Sequence, residues 1–158
     1  AASDVYKRQD NIRFSAPEKS DEECIEAAKK VFAHDFIKRL PDGYYTKINE
    51  ACSLSGGERQ LLSFARLILS DPKILILDEA TSHIDTHTEK LIQDSIAVLL
   101  KGRTSFVIAH RLSTIRKADN IVFIDDKNIV ESGTHEQLMQ LKGRYYRLLQ
   151  KSADSDNA

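Results

Sequence analysis

Ile74-Leu75-Ile76-Leu77-Asp78-Glu79 is the stretch that decides the fold. It is short, wholly apolar and ends in two acids, the pattern of a strand covered on both faces in a parallel sheet. Open parallel sheets gather their ligands at the carboxyl ends of the strands, which puts both carboxylates where a ligand would sit. An Asp there can hold Mg²⁺, and the Glu beside it can polarise an attacking water. The same six residues also describe a strand that runs into a solvated acidic loop, and the stretch alone does not separate the two readings.

Upstream, Leu61, Leu62, Ala65 and Leu69 recur at helical spacing, so Ser55 to Ser70 reads as a helix that Asp71-Pro72 stops. Asp21 to Ala33 reads as an earlier amphipathic helix with Ile25, Ala28 and Phe32 on its packed face. Ser20 and Glu23 are spaced as its capping box. Between these helices, Pro41-Asp42-Gly43 makes a turn, and Tyr44 to Ser53 has no strong period and reads as loop or short strand.

Downstream, a helix is expected from about Thr88 to Leu100, a strand at Thr104 to Ile108, a short helical segment after His110 and a strand at Ile121 to Ile124. Strands alternating with helices imply an α/β fold with a parallel sheet. Asp125 to Asn128 turns the chain into Ile129-Val130-Glu131. Thr134 and Gln137 form a further capping box ahead of a helical tail to about Gln150, and the polar residues Ser152 to Ala158 should fray.

Leu54-Ser55-Gly56-Gly57-Glu58 stands at a helix start, where unpaired backbone N–H groups and the positive end of the helix dipole favour an anion such as phosphate. Two glycines let that backbone approach closely. The pentapeptide is equally a Ser-capped helix with a flexible entry. His110 follows an apolar strand after a single Ala and would emerge at the same sheet edge as Asp78-Glu79, as a γ-phosphate contact or as an ordinary capped surface residue.

The 158 residues suffice for one domain with a buried core and equally for a piece of a larger one. Lys and Arg total 23 against 24 Asp and Glu, so a net charge of −1 gives no broad footprint for a nucleic-acid backbone, and nucleic acid is not an expected partner. Cys24 and Cys52 form no CxxC pair, which suits a reducing compartment. No stretch reaches the roughly 18 apolar residues of a membrane span, so an anchor would come from another segment or chain.

Taken together, these motifs resemble the ATP-binding domain of ABC transporters. Leu54 to Glu58 is similar to the signature motif, Ile74 to Glu79 to Walker B, and Ser82-His83-Ile84-Asp85 to the D-loop. His110, in Ala109-His110-Arg111-Leu112-Ser113, is similar to the switch histidine. The resemblance runs from about Asp10 to Gln150 and implies part of a P-loop NTPase fold, with a parallel sheet core and part of the α-helical subdomain.

The resemblance further implies a site shared by two such domains, in a homo- or heterodimer, arranged head to tail. Ser55, Gly56, Gly57 and Glu58 would meet the γ-phosphate of ATP held mainly by the partner. Asp78 would support Mg²⁺, Glu79 would orient or deprotonate water, His110 would hold the γ-phosphate, and Asp85 would act across the dimer. Segments such as Leu40-Pro41-Asp42-Gly43-Tyr44 look like the helical subdomain of exporters. That implies a transmembrane domain, N-terminal in the same polypeptide, and work at the cytoplasmic face of the cell membrane.

Departures from the family pattern are plain. No G-x-x-x-x-G-K-[ST] occurs, so the Walker A loop is absent from these 158 residues. Ala1 to Gln9 resembles nothing expected before Asp10 and reads as a junction segment. Residues 10–150 read as the C-terminal part of the domain, with about 15–70 helical subdomain and signature helix, about 71–150 core, and 151–158 polar tail. Ala51-Cys52-Ser53 replaces a longer Gly-bearing segment, and His83 and His87 read as surface residues. The expected function is ATP-driven export, with this fragment inactive alone. The alternative is a soluble ABC ATPase acting on ribosomes or in DNA repair.

Overall fold

The computed structural model describes residues 12–13, 16–46, 54–78, 84–109 and 112–155. They divide into two units, residues 1–106 and 107–158.

In the first unit, α1 (Asp21–Lys30) starts with the expected capping box, Ser20 accepting from the Glu23 N–H at 3.2 Å and Glu23 accepting from the Ser20 N–H at 2.9 Å. Its packed face differs from the expected one. Cys24, Ala27, Ala28 and Val31 are buried, whereas Phe32 is 40% exposed. The helix ends at Lys30, and Phe32 takes a positive φ of 57° that turns its ring away from the helical stripe. A short α2 (His34–Lys38) and a 3₁₀ turn (Gly43–Tyr45) follow. Tyr44 is buried there, its hydroxyl 2.9 Å from His34 Nδ1, and burial pushes its pKa up to about 12.

The signature-like helix α3 (Gly56–Ser70) buries Leu61, Leu62, Ala65 and Leu69, the spacing read from the sequence, and Phe64 beside them. It stops at Asp71, whose φ of 44° lies in the left-handed region just ahead of Pro72. It packs on α1 and on α4 (Thr86–Leu100). The buried Ser95 hydroxyl of α4 donates to the Val31 carbonyl at 3.0 Å, which ties α4 to the end of α1.

Between α3 and α4 runs β1 (Ile74–Asp78), which pairs with β2 (Thr104–Ile108) in a small parallel sheet. The expectation of cover on both faces is corrected. Leu75 and Leu77 are buried, but Ile74 is 62% and Ile76 73% exposed. Phe106 and Ile108 of β2 are exposed in the same way. An apolar run without alternation is equipped for cover on both sides, and the described residues cover one.

The second unit continues with a short helix, α5 (Leu112–Ile115), and then β3 (Ile121–Asp125) and β4 (Asn128–Gly133), an antiparallel hairpin with a register shift between Phe123 and Ile124. The parallel expectation therefore holds for β1 and β2 and not here. Asp126 and Lys127 both have positive φ, the geometry of a two-residue hairpin turn that matches strand twist. The tail is two helices. α6 (His135–Leu141) carries the expected Thr134–Gln137 capping box and ends at Lys142 in the left-handed region. α7 (Arg144–Ser155) then starts with the Glu131 carboxylate accepting from the Arg144 and Tyr145 N–H groups. Ile121, Leu138, Tyr145 and Leu149 form the core of this unit.

Candidate functional site

The N-terminus of α3 is closed by a reciprocal bond pair. Ser55 Oγ accepts from the Glu58 N–H at 3.2 Å, and a Glu58 carboxylate oxygen accepts from the Ser55 N–H at 2.9 Å. Arg59 adds a guanidinium bond to the Leu54 carbonyl. The first turn of a helix leaves its amide donors without intrahelical partners. Two of these donors, Ser55 and Glu58, are used in the box, and the N–H groups of Gly56 and Gly57 have no partner among the described residues.

The two glycines differ in what surrounds them. A Cβ on Gly56 would meet nothing within 4 Å. One on the buried Gly57 would lie 2.3 Å from Thr88 Cγ2 and 3.3 Å from Ile84 Cγ2. Gly56 therefore opens outward, where a ligand can come close, and Gly57 lets the start of α4 lie directly against the start of α3.

Asp85 is the N-cap of α4, its carboxylate accepting from the Thr88 N–H at 2.9 Å. That bond first, and the Thr88 side chain second, hold the Asp85 carboxyl below its ordinary pKa. The helix thus begins two residues before the expected Thr88, a placement that Asp85 signals as a preferred capping residue. Thr88 is the residue that sequence reasoning missed, because its importance lies in touching both Asp85 and Gly57, which are far apart in the chain.

Asp78 ends β1 and is exposed, and its carboxylate has no hydrogen bond or ion pair among the described residues. Glu79, His110, Ser82 and His83 lie outside the described residues, as do Asp10, Asn11, Cys52 and residues 1–9. His87, on the first turn of α4, is exposed, and no group of three or more metal-ligating side chains occurs among the described residues. The structure therefore brings Ser55, Gly56, Gly57 and Glu58 together with Asp85, and presents Asp78 separately at the strand end. Among the described residues, no helix is long and apolar enough to cross a membrane.

Comparison with known proteins gives this arrangement a context. Residues 3–82 match the sequence model of the ABC transporter family. An ABC transporter ATP-binding protein homologue of Mycoplasma pneumoniae is 55% identical over 141 residues, 89% of this chain and 22% of that protein. A multidrug export ATP-binding/permease protein of Staphylococcus aureus is 51% identical over 147 residues, 92% of this chain and 25% of that protein. Among solved structures, a bacterial Atm1-family ABC exporter with ATP bound matches at a TM-score of 0.80 and 38% identity, over 93% of this chain and 26% of that one. The chain spans about a quarter of the length of these relatives. The match to the family model covers half of the chain, and the signature-like helix start and the Walker B-like strand both fall inside it, so the chain belongs to the ABC transporter family.

Proposed function

We propose that this chain is the C-terminal part of the nucleotide-binding domain of an ABC exporter, and that the whole protein hydrolyses ATP to move a substrate across a membrane. The observation that carries the reading is the start of α3, where the box fixes Ser55 and Glu58 while Gly56 stays open, its amide without a partner among the described residues. Amide donors at a helix N-terminus suit a phosphate group. Two relatives with export in their names support the direction of transport.

In this reading two domains meet head to tail. Ser55, Gly56 and Gly57 face the γ-phosphate of ATP bound mainly to the other domain, and Glu58 sets the position of Ser55. The exposed carboxylate of Asp78, without a partner among the described residues, fits a hard cation with oxygen ligands, so Asp78 would hold Mg²⁺, through water or directly. When bound, Mg²⁺ neutralises charge on the transferring phosphoryl group. Glu79, next in sequence, orients or deprotonates the attacking water, and His110 holds the γ-phosphate. Asp85 acts across the dimer. Residues from about 15 to 70 form the helical subdomain with the signature helix, and the following residues belong to the core. The transmembrane domain lies N-terminal in the same polypeptide, and the ATPase faces the cytoplasm.

The test uses the polypeptide encoded by the complete reading frame. Purified in lipid, it should show Mg²⁺-dependent ATP turnover that Glu79→Gln abolishes, while the 158-residue chain alone, which carries no Walker A loop, stays at background. Vigorous turnover by the isolated chain, or none by the complete protein, would overturn the proposal.

A further inference from the structure

Thr88 touches two motifs with different parts of one small side chain. Its Cγ2 methyl occupies the space a side chain at position 57 would need, 2.3 Å from the ideal Cβ position. Its backbone N–H donates to Asp85 at 2.9 Å. Its side chain also helps to hold the same carboxyl below its ordinary pKa. A β-branched side chain has few χ1 choices, so the rotamer that satisfies Asp85 also aims the methyl at Gly57.

We propose that Thr88 is a positioning residue that makes the start of α3 and the Asp85 segment move as one body, with its methyl bearing on Gly57 and its hydroxyl and amide holding Asp85. The consequence is a link inside one chain between the amides offered to the γ-phosphate and the residue that acts across the dimer. When phosphate draws the Gly56–Gly57 backbone in, Asp85 follows. This inference rests on the function proposed above and deepens it by naming how its two shared-site segments are coupled.

Two substitutions divide the contacts. Thr88→Val keeps the methyl and removes the hydroxyl, and Thr88→Ser keeps the hydroxyl and removes the methyl. In the complete protein, each should lower kcat for ATP hydrolysis by about tenfold or more, since misplacement of the order of 1 Å costs up to about 10²-fold. KM for ATP should stay within about twofold, because ATP is held mainly by the other domain's own residues. Gly57→Ala alone clashes with Thr88, but Gly57→Ala combined with Thr88→Ser supplies the missing methyl from the opposite side and should recover most of the lost kcat.

All variants are assayed well below their unfolding temperatures, so that lost stability cannot pass for lost turnover. A purely structural Thr88 would lower Tm and leave kcat of the folded protein unchanged. Values of kcat within twofold of the unsubstituted protein for both single variants overturn the inference and leave the ATPase reading standing. An inactive unsubstituted protein overturns both.

Discussion

Gly56 and Gly57 are adjacent, both lie in the first turn of α3, and a methyl group added to each should have opposite effects on stability. The helix-propensity gain of Gly→Ala, up to about 1 kcal/mol in a helix interior, is nearly common to the two positions and cancels in the comparison. What remains is packing. At Gly56 the new methyl enters open space. At Gly57 it would stand 2.3 Å from Thr88 Cγ2, so one of the two carbons must retreat by more than 1 Å to reach an ordinary contact, with Ile84 Cγ2 already at 3.3 Å on another side. Overpacking of this kind costs about 1–3 kcal/mol. For a domain of this size that lowers Tm by roughly 2–12 °C. Thermal unfolding of the ATPase domain followed by circular dichroism should place Gly57→Ala below Gly56→Ala by that margin. Both should lose ATP turnover, Gly56→Ala because its methyl stands where the phosphate must approach. A Gly57→Ala domain as stable as Gly56→Ala would refute the packing argument, and full turnover in Gly56→Ala would refute the assignment of the open face.

Glu79→Gln keeps size and hydrogen-bonding reach but removes the base, so turnover should fall by about 10²- to 10⁴-fold while nucleotide is retained in a closed dimer. Asp78→Asn should instead lose Mg²⁺-dependent nucleotide affinity as well, and indistinguishable ATP affinity in the two variants would overturn the division of roles. Ser55→Arg breaks the capping box and puts bulk at the helix start, so ATPase activity should drop, and unchanged activity would count against the signature assignment. Asp85 has a folded pKa below its ordinary 3.8, so its contribution to stability is present above that value and is lost as pH falls through the lower folded one. Asp85→Asn should accordingly flatten the acid limb of the stability profile below about pH 4, and parallel profiles for the two proteins would remove the role of that cap.

Local rules read correctly from the sequence wherever one short segment decides the outcome. The capping boxes expected at Ser20 and Thr134 each join residues three apart, and both form; the Ser cap expected at Ser55 forms as a third such box. The buried stripe of α3 follows from periodicity alone. The reading failed where neighbours decide. Phe32 fits the period of α1 but lies beyond a helix end that the backbone sets at Lys30. Ile74 and Ile76 look like core because apolar residues report what a strand is prepared to meet, not what the described residues put there. The division of labour between Gly56 and Gly57 could not be read at all, because the residue that distinguishes them is 31 positions downstream of Gly57 at Thr88.

In the function proposed for this chain, that division bears on why the signature-like helix start carries a carboxylate so near the expected γ-phosphate. Glu58 brings negative charge to the same helix end that is to receive an anion, which by itself opposes binding. Its carboxylate is turned back onto the Ser55 N–H, however, and so satisfies a donor that lies beside the open glycine amide and does not occupy it. The box holds the turn in helical geometry before any ligand arrives, and ordering the loop is then not charged against ATP binding. Gly57 completes the arrangement from behind, since the contact with Thr88 fixes the turn from the side away from the ligand. A helix start braced on its inner side and open on its outer side can pass a small displacement inward to Asp85, which a flexible glycine loop could not do.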